Sequence, residues 1–149
     1  MVTAHHRKMF VNLAVKDLPR SVDFFKKLGF GFDPLFTDDH ASCMVIGDDA
    51  YVMLLDEERF KDFARKPIAD ANYDTESIVA ISADSREDVD DLVDAALSSG
   101  GEPATETMEQ AFIYGRSFYD LDGHHWEAVY MEPQALESNE VMNPGQPDS

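Results

Sequence analysis

Residues Phe10–Phe30, FVNLAVKDLPRSVDFFKKLGF, decide how this chain is read. With Lys8 and Met9 in front, the segment from Lys8 to Val15 (KMFVNLAV) reads as a strand, although its alternation is imperfect. Asp17-Leu18-Pro19 reads as a helix start. An acid caps the free N–H groups, and proline in the first turn has no N–H to waste. Leu18, Val22, Phe25 and Leu28 share one helical face, and Gly29 stops the helix.

Working outward, Phe30 to Phe36 is aromatic-rich and extended, and Asp38-Asp39-His40 is a turn. The apolar runs Ser42–Ile46 and Tyr51–Leu55, separated by Gly47-Asp48-Asp49-Ala50, predict a hairpin. Glu57–Ala64 reads as a short helix carrying Phe60 and Phe63, and the polar stretch 67–75 as a linker. Beyond it the order returns. Ser77–Ala83 is a strand. Ser85 caps a helix, with Asp88 where a capping-box acid sits. Val89, Leu92, Val93, Ala96 and Leu97 form its apolar stripe, and Gly100-Gly101 end it. Extended segments follow around Ala104, over Gln110–Tyr119 and over His125–Met131. The last two are joined by the tight-turn sequence Asp120-Leu121-Asp122-Gly123. Each half thus reads strand, helix, three strands. The tail 133–149, rich in Pro, Asn, Gly, Ser and acids, is expected to be a flexible acidic tail.

Composition narrows the function classes. The chain has 149 residues, 44% of them hydrophobic, enough for one domain with a core. Its net charge of −18 argues against nucleic acid, whose phosphates need Lys and Arg, and against anionic membranes. No apolar run reaches the ~20 residues of a membrane helix, and no apolar region follows the basic N-terminus as in a signal peptide. The single cysteine, Cys43, is read as a small core residue that can form no internal disulfide. These features together favour a cytoplasmic protein.

Two segments carry a family resemblance. Phe10–Phe30 resembles the opening of vicinal-oxygen-chelate proteins: a strand, Val-x-Asp-Leu, a helix with Ser and paired aromatics, then Leu-Gly-Phe. Asp120-Leu-Asp-Gly-His-His-Trp-Glu127 resembles their closing hairpin, Asp-Pro-Asp-Gly-x-x-x-Glu. The resemblance to this glyoxalase, bleomycin-resistance and dioxygenase superfamily runs from Lys8 to Met131. It implies an α+β fold of two βαβββ modules, about 8–66 and 76–132, within a single domain 8–132 whose mixed sheet is cupped. It also implies a homodimer, and in most enzymes of the family a divalent metal held by His or Glu on four strands.

Carried over position by position, the metal ligands are largely missing. Phe10 stands at the first-strand position, Met53 at that of the hairpin strand and Ile78 at that of the fifth strand. A phenyl ring and an alkyl chain ligate nothing, and a thioether suits copper(I) only. Asn12, on the same strand face as Phe10, is a weak ligand. Glu127 on the last strand is the sole surviving metal-capable residue, and catalytic zinc asks for three protein ligands. His125 shares the face of Glu127 by alternation, while His124 and Trp126 point the other way. Ser117 is expected opposite Glu127 and Asn12 as a further donor, so Glu127 is either a structural carboxylate satisfied by them or a functional one. Tyr114 either lines the cup or covers the sheet, Arg116 pairs with the acidic surface, and His5 and His6 belong to a solvated terminus.

The expected function is a metal-independent cup that binds a small molecule through Phe10, Asn12, Met53, Tyr114, Ser117, His125 and Glu127, with no cofactor. The alternatives are a metal-dependent lyase, isomerase or dioxygenase of the same superfamily, or a metal-free enzyme with Glu127 as its base.

Overall fold

A computed structural model describes residues 6–133 and divides the chain into two compact units, Met1–Glu76 and Ser77–Ser149. His5 and the tail from residue 134 lie outside the described residues. The division falls directly after the 67–75 stretch read as a linker. No described helix is long and apolar enough to cross a membrane.

The first unit runs β1 (Met9–Val15), α1 (Leu18–Lys27), β2 (Gly31–Asp33), a 3-10 turn (Pro34–Phe36), β3 (Ala41–Gly47), β4 (Ala50–Asp56) and α2 (Glu57–Phe63). The sheet order is β1-β4-β3-β2, with β1 parallel to β4 and β2 and β4 antiparallel to β3. α1 starts where its sequence says. The Asp17 carboxylate accepts from the Arg20 N–H at 3.1 Å, and Pro19 sits in the first turn. Its buried stripe is Leu18, Ser21, Phe24 and Phe25, however, with Val22 and Leu28 only half-buried. Tandem phenylalanines define two candidate stripes. The small Ser21 lets the helix settle on the one between them, so that both rings go inside, edge to face at 5.0 Å. α1 packs on β3 and β4. The core beneath consists of Leu13, Val15, Met44, Val52 and Leu54, all nearly inaccessible. Phe63, carried by α2 as expected, is exposed.

The second unit repeats the plan with one more strand: β5 (Ile78–Ser82), α3 (Arg86–Ser98), β6 (Glu102–Pro103), β7 (Met108–Gln110), β8 (Ile113–Tyr119) and β9 (His125–Met131). Its order, β5-β9-β8-β6, matches that of the first sheet, again with first and last strands parallel; β7 pairs with β8. The single strand expected over Gln110–Tyr119 is thus two strands, because the chain turns at Ala111-Phe112 and β7 folds back on β8. Ser85 caps α3 by accepting from the Asp88 N–H at 3.0 Å, while the Asp88 carboxylate accepts from the Asp84 N–H at 2.9 Å, one residue earlier than in a capping box. Val89, Val93 and Ala96 press on the sheet, and Leu92 and Leu97 flank them.

The β8–β9 connection is organised by one side chain. Asp120 is buried and accepts from the N–H groups of Asp122 (2.9 Å) and His124 (3.0 Å) through Oδ1, and from the Trp126 indole (3.0 Å) through Oδ2. Gly123 closes the turn at φ +90°, in the region open to glycine. Trp126 lies stacked with Phe118, the rings parallel within 2°. This hub sets where β9 begins and therefore which way His125 and Glu127 point.

Candidate functional site

The faces of the second sheet are fixed by α3. The Tyr114 hydroxyl donates to Asp90 at 2.7 Å, and Arg116 bridges Asp90 (2.9 Å) and Asp94 (3.0 Å), both on α3. Tyr114, Arg116 and Phe118 therefore lie on the helix side, and alternation sends Gly115, Ser117 and Tyr119 to the opposite, open side. Antiparallel register places Ser117 against Glu127 and Tyr119 against His125. Ser117, His125 and Glu127 thus share the open face. Of the two readings of Tyr114, the geometry favours covering the sheet: its hydroxyl is committed to Asp90, with Arg86 over its ring at 5.0 Å. Arg116 pairs with surface acids as expected. The hydrogen bond holds the Tyr114 phenol above its ordinary pKa, and the same bond is the main cause of the lowered Asp90 value.

Glu127 does not find the donors anticipated for it. The Ser117 hydroxyl is engaged by Thr105, whose N–H donates to it at 2.8 Å and whose hydroxyl lies at 2.6 Å. Asn12 donates to the carbonyl of Phe10, on its own strand, at 3.3 Å. The half-buried Glu127 carboxylate has no hydrogen-bond or ion-pair partner among the described residues. Two residues away, His125 is 7% exposed and its Nε2 is buried with no partner, the ring lying edge-on to Tyr119 at 5.4 Å. Buried polar atoms are almost always satisfied, so the partnerless ring nitrogen marks a place where another polar group is expected to bind; the half-buried Glu127 follows two residues along the same strand. A cleft with about 20 Å³ of free volume opens among Thr105, Glu106, Met108, Gly115, Arg116, Ser117 and Glu127. That is room for a water or a single polar group.

In the first unit Phe10, Asn12 and Met53 lie on one face, opposite the buried Leu13, Val52 and Leu54. Phe10 stacks on Tyr51 at 4.9 Å, and Phe36 meets it edge-on at 6.3 Å. This face is aromatic and thioether-rich and offers no His, Asp or Glu beside Phe10 or Met53. The register also shows who neighbours whom. Phe10 pairs with Tyr51 and Asn12 with Met53; Ile78 pairs with His125 and Ala80 with Glu127. The β5 neighbours of Glu127 are therefore apolar. The residues present do not fit the family's four-ligand metal. Among the described residues, three metal-capable side chains come within 4.8 Å of one another only at His40, Asp56 and Glu58. Sequence reading assigned His40 to a turn and gave it no further role. The Ser117–Thr105 contact was also missed, because Thr105 lies in a polar loop where no spacing announces a partner.

The chain matches the Glyoxalase/Bleomycin resistance protein/Dioxygenase superfamily over residues 7–128, and it belongs to that superfamily. Its fold is similar to that of a hypothetical protein from S. aureus, with TM-score 0.70 and 28% identity, covering 87% of this chain and 94% of that one. It is similar to a family enzyme from Burkholderia phytofirmans at TM-score 0.67 and 15% identity, covering 82% and 96% of the two chains. It is similar also to the fosfomycin resistance protein FosX from Listeria monocytogenes at TM-score 0.58 and 20% identity, covering 87% and 92%. The last two likenesses concern the fold alone. No curated protein matches the chain.

Proposed function

We propose that this protein binds a small molecule on the open face of its second sheet without the family metal, anchoring a cationic or hydroxyl group of the ligand on Glu127. The observation that carries the proposal is the Glu127 carboxylate left without a partner at the mouth of a cleft, two residues from the buried, unpaired Nε2 of His125. The cleft admits one polar group, so it seats the anchoring end of a ligand rather than all of it. A carboxylate on a chain of charge −18 favours a positive or hydrogen-donating group, drawn in by long-range attraction. The same partnerless carboxylate supports a second reading, a metal-free enzyme in which Glu127 removes a proton from the bound molecule. A metal-dependent lyase, isomerase or dioxygenase is disfavoured by Phe10, Met53 and Ile78 at the positions that should ligate. Action in the cytoplasm, on the composition and the single cysteine, and as a homodimer, on the family resemblance, are part of the same proposal.

The test is a thermal-shift screen of small amines and polyols against the tag-free protein and Glu127→Gln, alongside elemental analysis. A ligand at 100 times its Kd stabilises by about 2.7 kcal/mol. The expected result is a shift present in the wild type and lost in Glu127→Gln, with no stoichiometric metal that depends on Glu127. Metal at one equivalent that disappears in Glu127→Ala would overturn the metal-free reading.

A further inference from the structure

The first unit carries a second constellation of ligating groups, built from residues that the proposed function does not use. His40 immediately precedes β3 and Asp56 ends β4. The two are locked together by the Asp56 N–H donating to the His40 carbonyl at 3.0 Å. The His40 N–H is itself held by Asp38 at 2.8 Å. Asp56 divides its carboxylate: Oδ1 accepts from the Arg59 N–H at 2.8 Å and caps α2, which leaves Oδ2 to meet His40 Nδ1 at 2.6 Å. Glu58, in the first turn of α2, brings a third donor, and the three ligand atoms lie within 4.8 Å of one another. The neighbouring cation, Arg59, is turned to Asp38 at 3.1 Å.

We propose that His40, Asp56 and Glu58 form a site for a divalent cation of borderline softness, zinc or nickel, with water completing the coordination. An acidic pair alone is commonplace on so acidic a chain. The imidazole sets this group apart, because one ring nitrogen with two carboxylates is a donor set for borderline cations rather than for calcium or magnesium, which take oxygen cages. Donor atoms around such an ion stand roughly 3–4 Å apart at bond lengths of about 2.0–2.2 Å. His40 Nδ1 and Asp56 Oδ2, 2.6 Å apart across their hydrogen bond, therefore move slightly apart as the ion replaces the shared proton, and the exposed Glu58 turns in to meet it. The backbone bond between His40 and Asp56 keeps their main chains in place, so the adjustment is confined to side chains.

The experiment is zinc titration by calorimetry, with cobalt(II) absorption as a spectroscopic check, on the wild type, His40→Gln, Glu58→Gln and Glu127→Gln. Asp56 is left intact because it also caps α2. Circular dichroism confirms that each variant is folded. One equivalent of zinc is expected to bind, about tenfold or more weaker in His40→Gln and in Glu58→Gln and unchanged in Glu127→Gln. No saturable binding tighter than about 1 mM in the wild type would overturn the proposal, as would full affinity in His40→Gln. Binding lost in Glu127→Gln but kept in His40→Gln would overturn this proposal and the metal-free reading together. Loss in His40→Gln alone leaves that reading standing, so the two failures are distinguishable.

Discussion

Asp120 offers the sharpest test of how the second sheet is organised, because its contacts can be counted. In the wild type it accepts three hydrogen bonds, two from turn N–H groups at 2.9 and 3.0 Å and one from the Trp126 indole at 3.0 Å. Asp120→Asn keeps an oxygen for the turn but aims an amide N–H at the indole N–H. One buried donor loses its acceptor, at a cost of about 1–3 kcal/mol, and the charge assistance of the other bonds is lost. Removing a charge from a buried position returns part of this, since burial is what raises the Asp120 pKa. The net expectation is about 2 kcal/mol for Asn and about 3 kcal/mol for Ala, which takes the acceptor away from all three N–H donors. The sign of the pH dependence is also fixed. A carboxyl with a raised folded pKa contributes stability that is full below its unfolded value, ordinarily 3.8, and lost as pH rises through the folded one. The gap between wild type and Asp120→Asn should therefore widen as the solution is acidified. Urea unfolding followed by the fluorescence of Trp126, the sole tryptophan, reads the change where it occurs. If both variants fall within about 0.5 kcal/mol of wild type, Asp120 does not organise the hairpin, and the argument for the direction of His125 and Glu127 fails with it.

Gly101→Ala is expected to destabilise by about 1–3 kcal/mol in thermal unfolding, because a Cβ there would stand 2.8 Å from the Tyr119 carbonyl and 2.9 Å from that of Ala96, both backbone atoms. His40 is expected to titrate above 6.5 by NMR and to return towards it in Asp56→Asn. The stability gained from the pair is full below about 6.5 on the His40 side and fades as pH rises through the raised value. On the Asp56 side it is present above about 3.8 and lost as pH falls through the lowered value.

Sequence legibility followed the range of the interactions. Elements set by neighbours in the chain were readable: Asp17 and Pro19 start α1, Ser85 starts α3, and Asp120 to Gly123 make the turn. Register followed from the turn, so Ser117 opposite Glu127 was readable too. The helix stripe at Phe24-Phe25 was ambiguous because two neighbouring rings satisfy the same period. The site was less legible. Whether Tyr114 faces a ligand or α3 depends on Asp90, 24 residues away. Whether Ser117 is available to Glu127 depends on Thr105, 12 residues away. His40 and Asp56 meet only because β3 and β4 pair, and no local spacing encodes that.

The two units share a frame but not a chemistry, and this bears on what Glu127 does. In both sheets the first strand lies parallel to the last, so equivalent positions have equivalent neighbours. In the first sheet they are filled by Phe10, Asn12, Tyr51 and Met53, and the aromatic stack there gives a surface suited to apolar matter. In the second they are filled by Ile78, Ala80, His125 and Glu127. A metal vertex needs several ligating donors on adjacent strands, and beside Glu127 β5 supplies alkyl groups and β8 the Ser117 hydroxyl, already engaged by Thr105. A ligand's hydrogen-bonding group needs far less: one carboxylate without a partner, and a small cleft to exclude competing water. The second sheet meets that lesser requirement more readily than the greater one, which supports the proposal that Glu127 anchors a ligand directly.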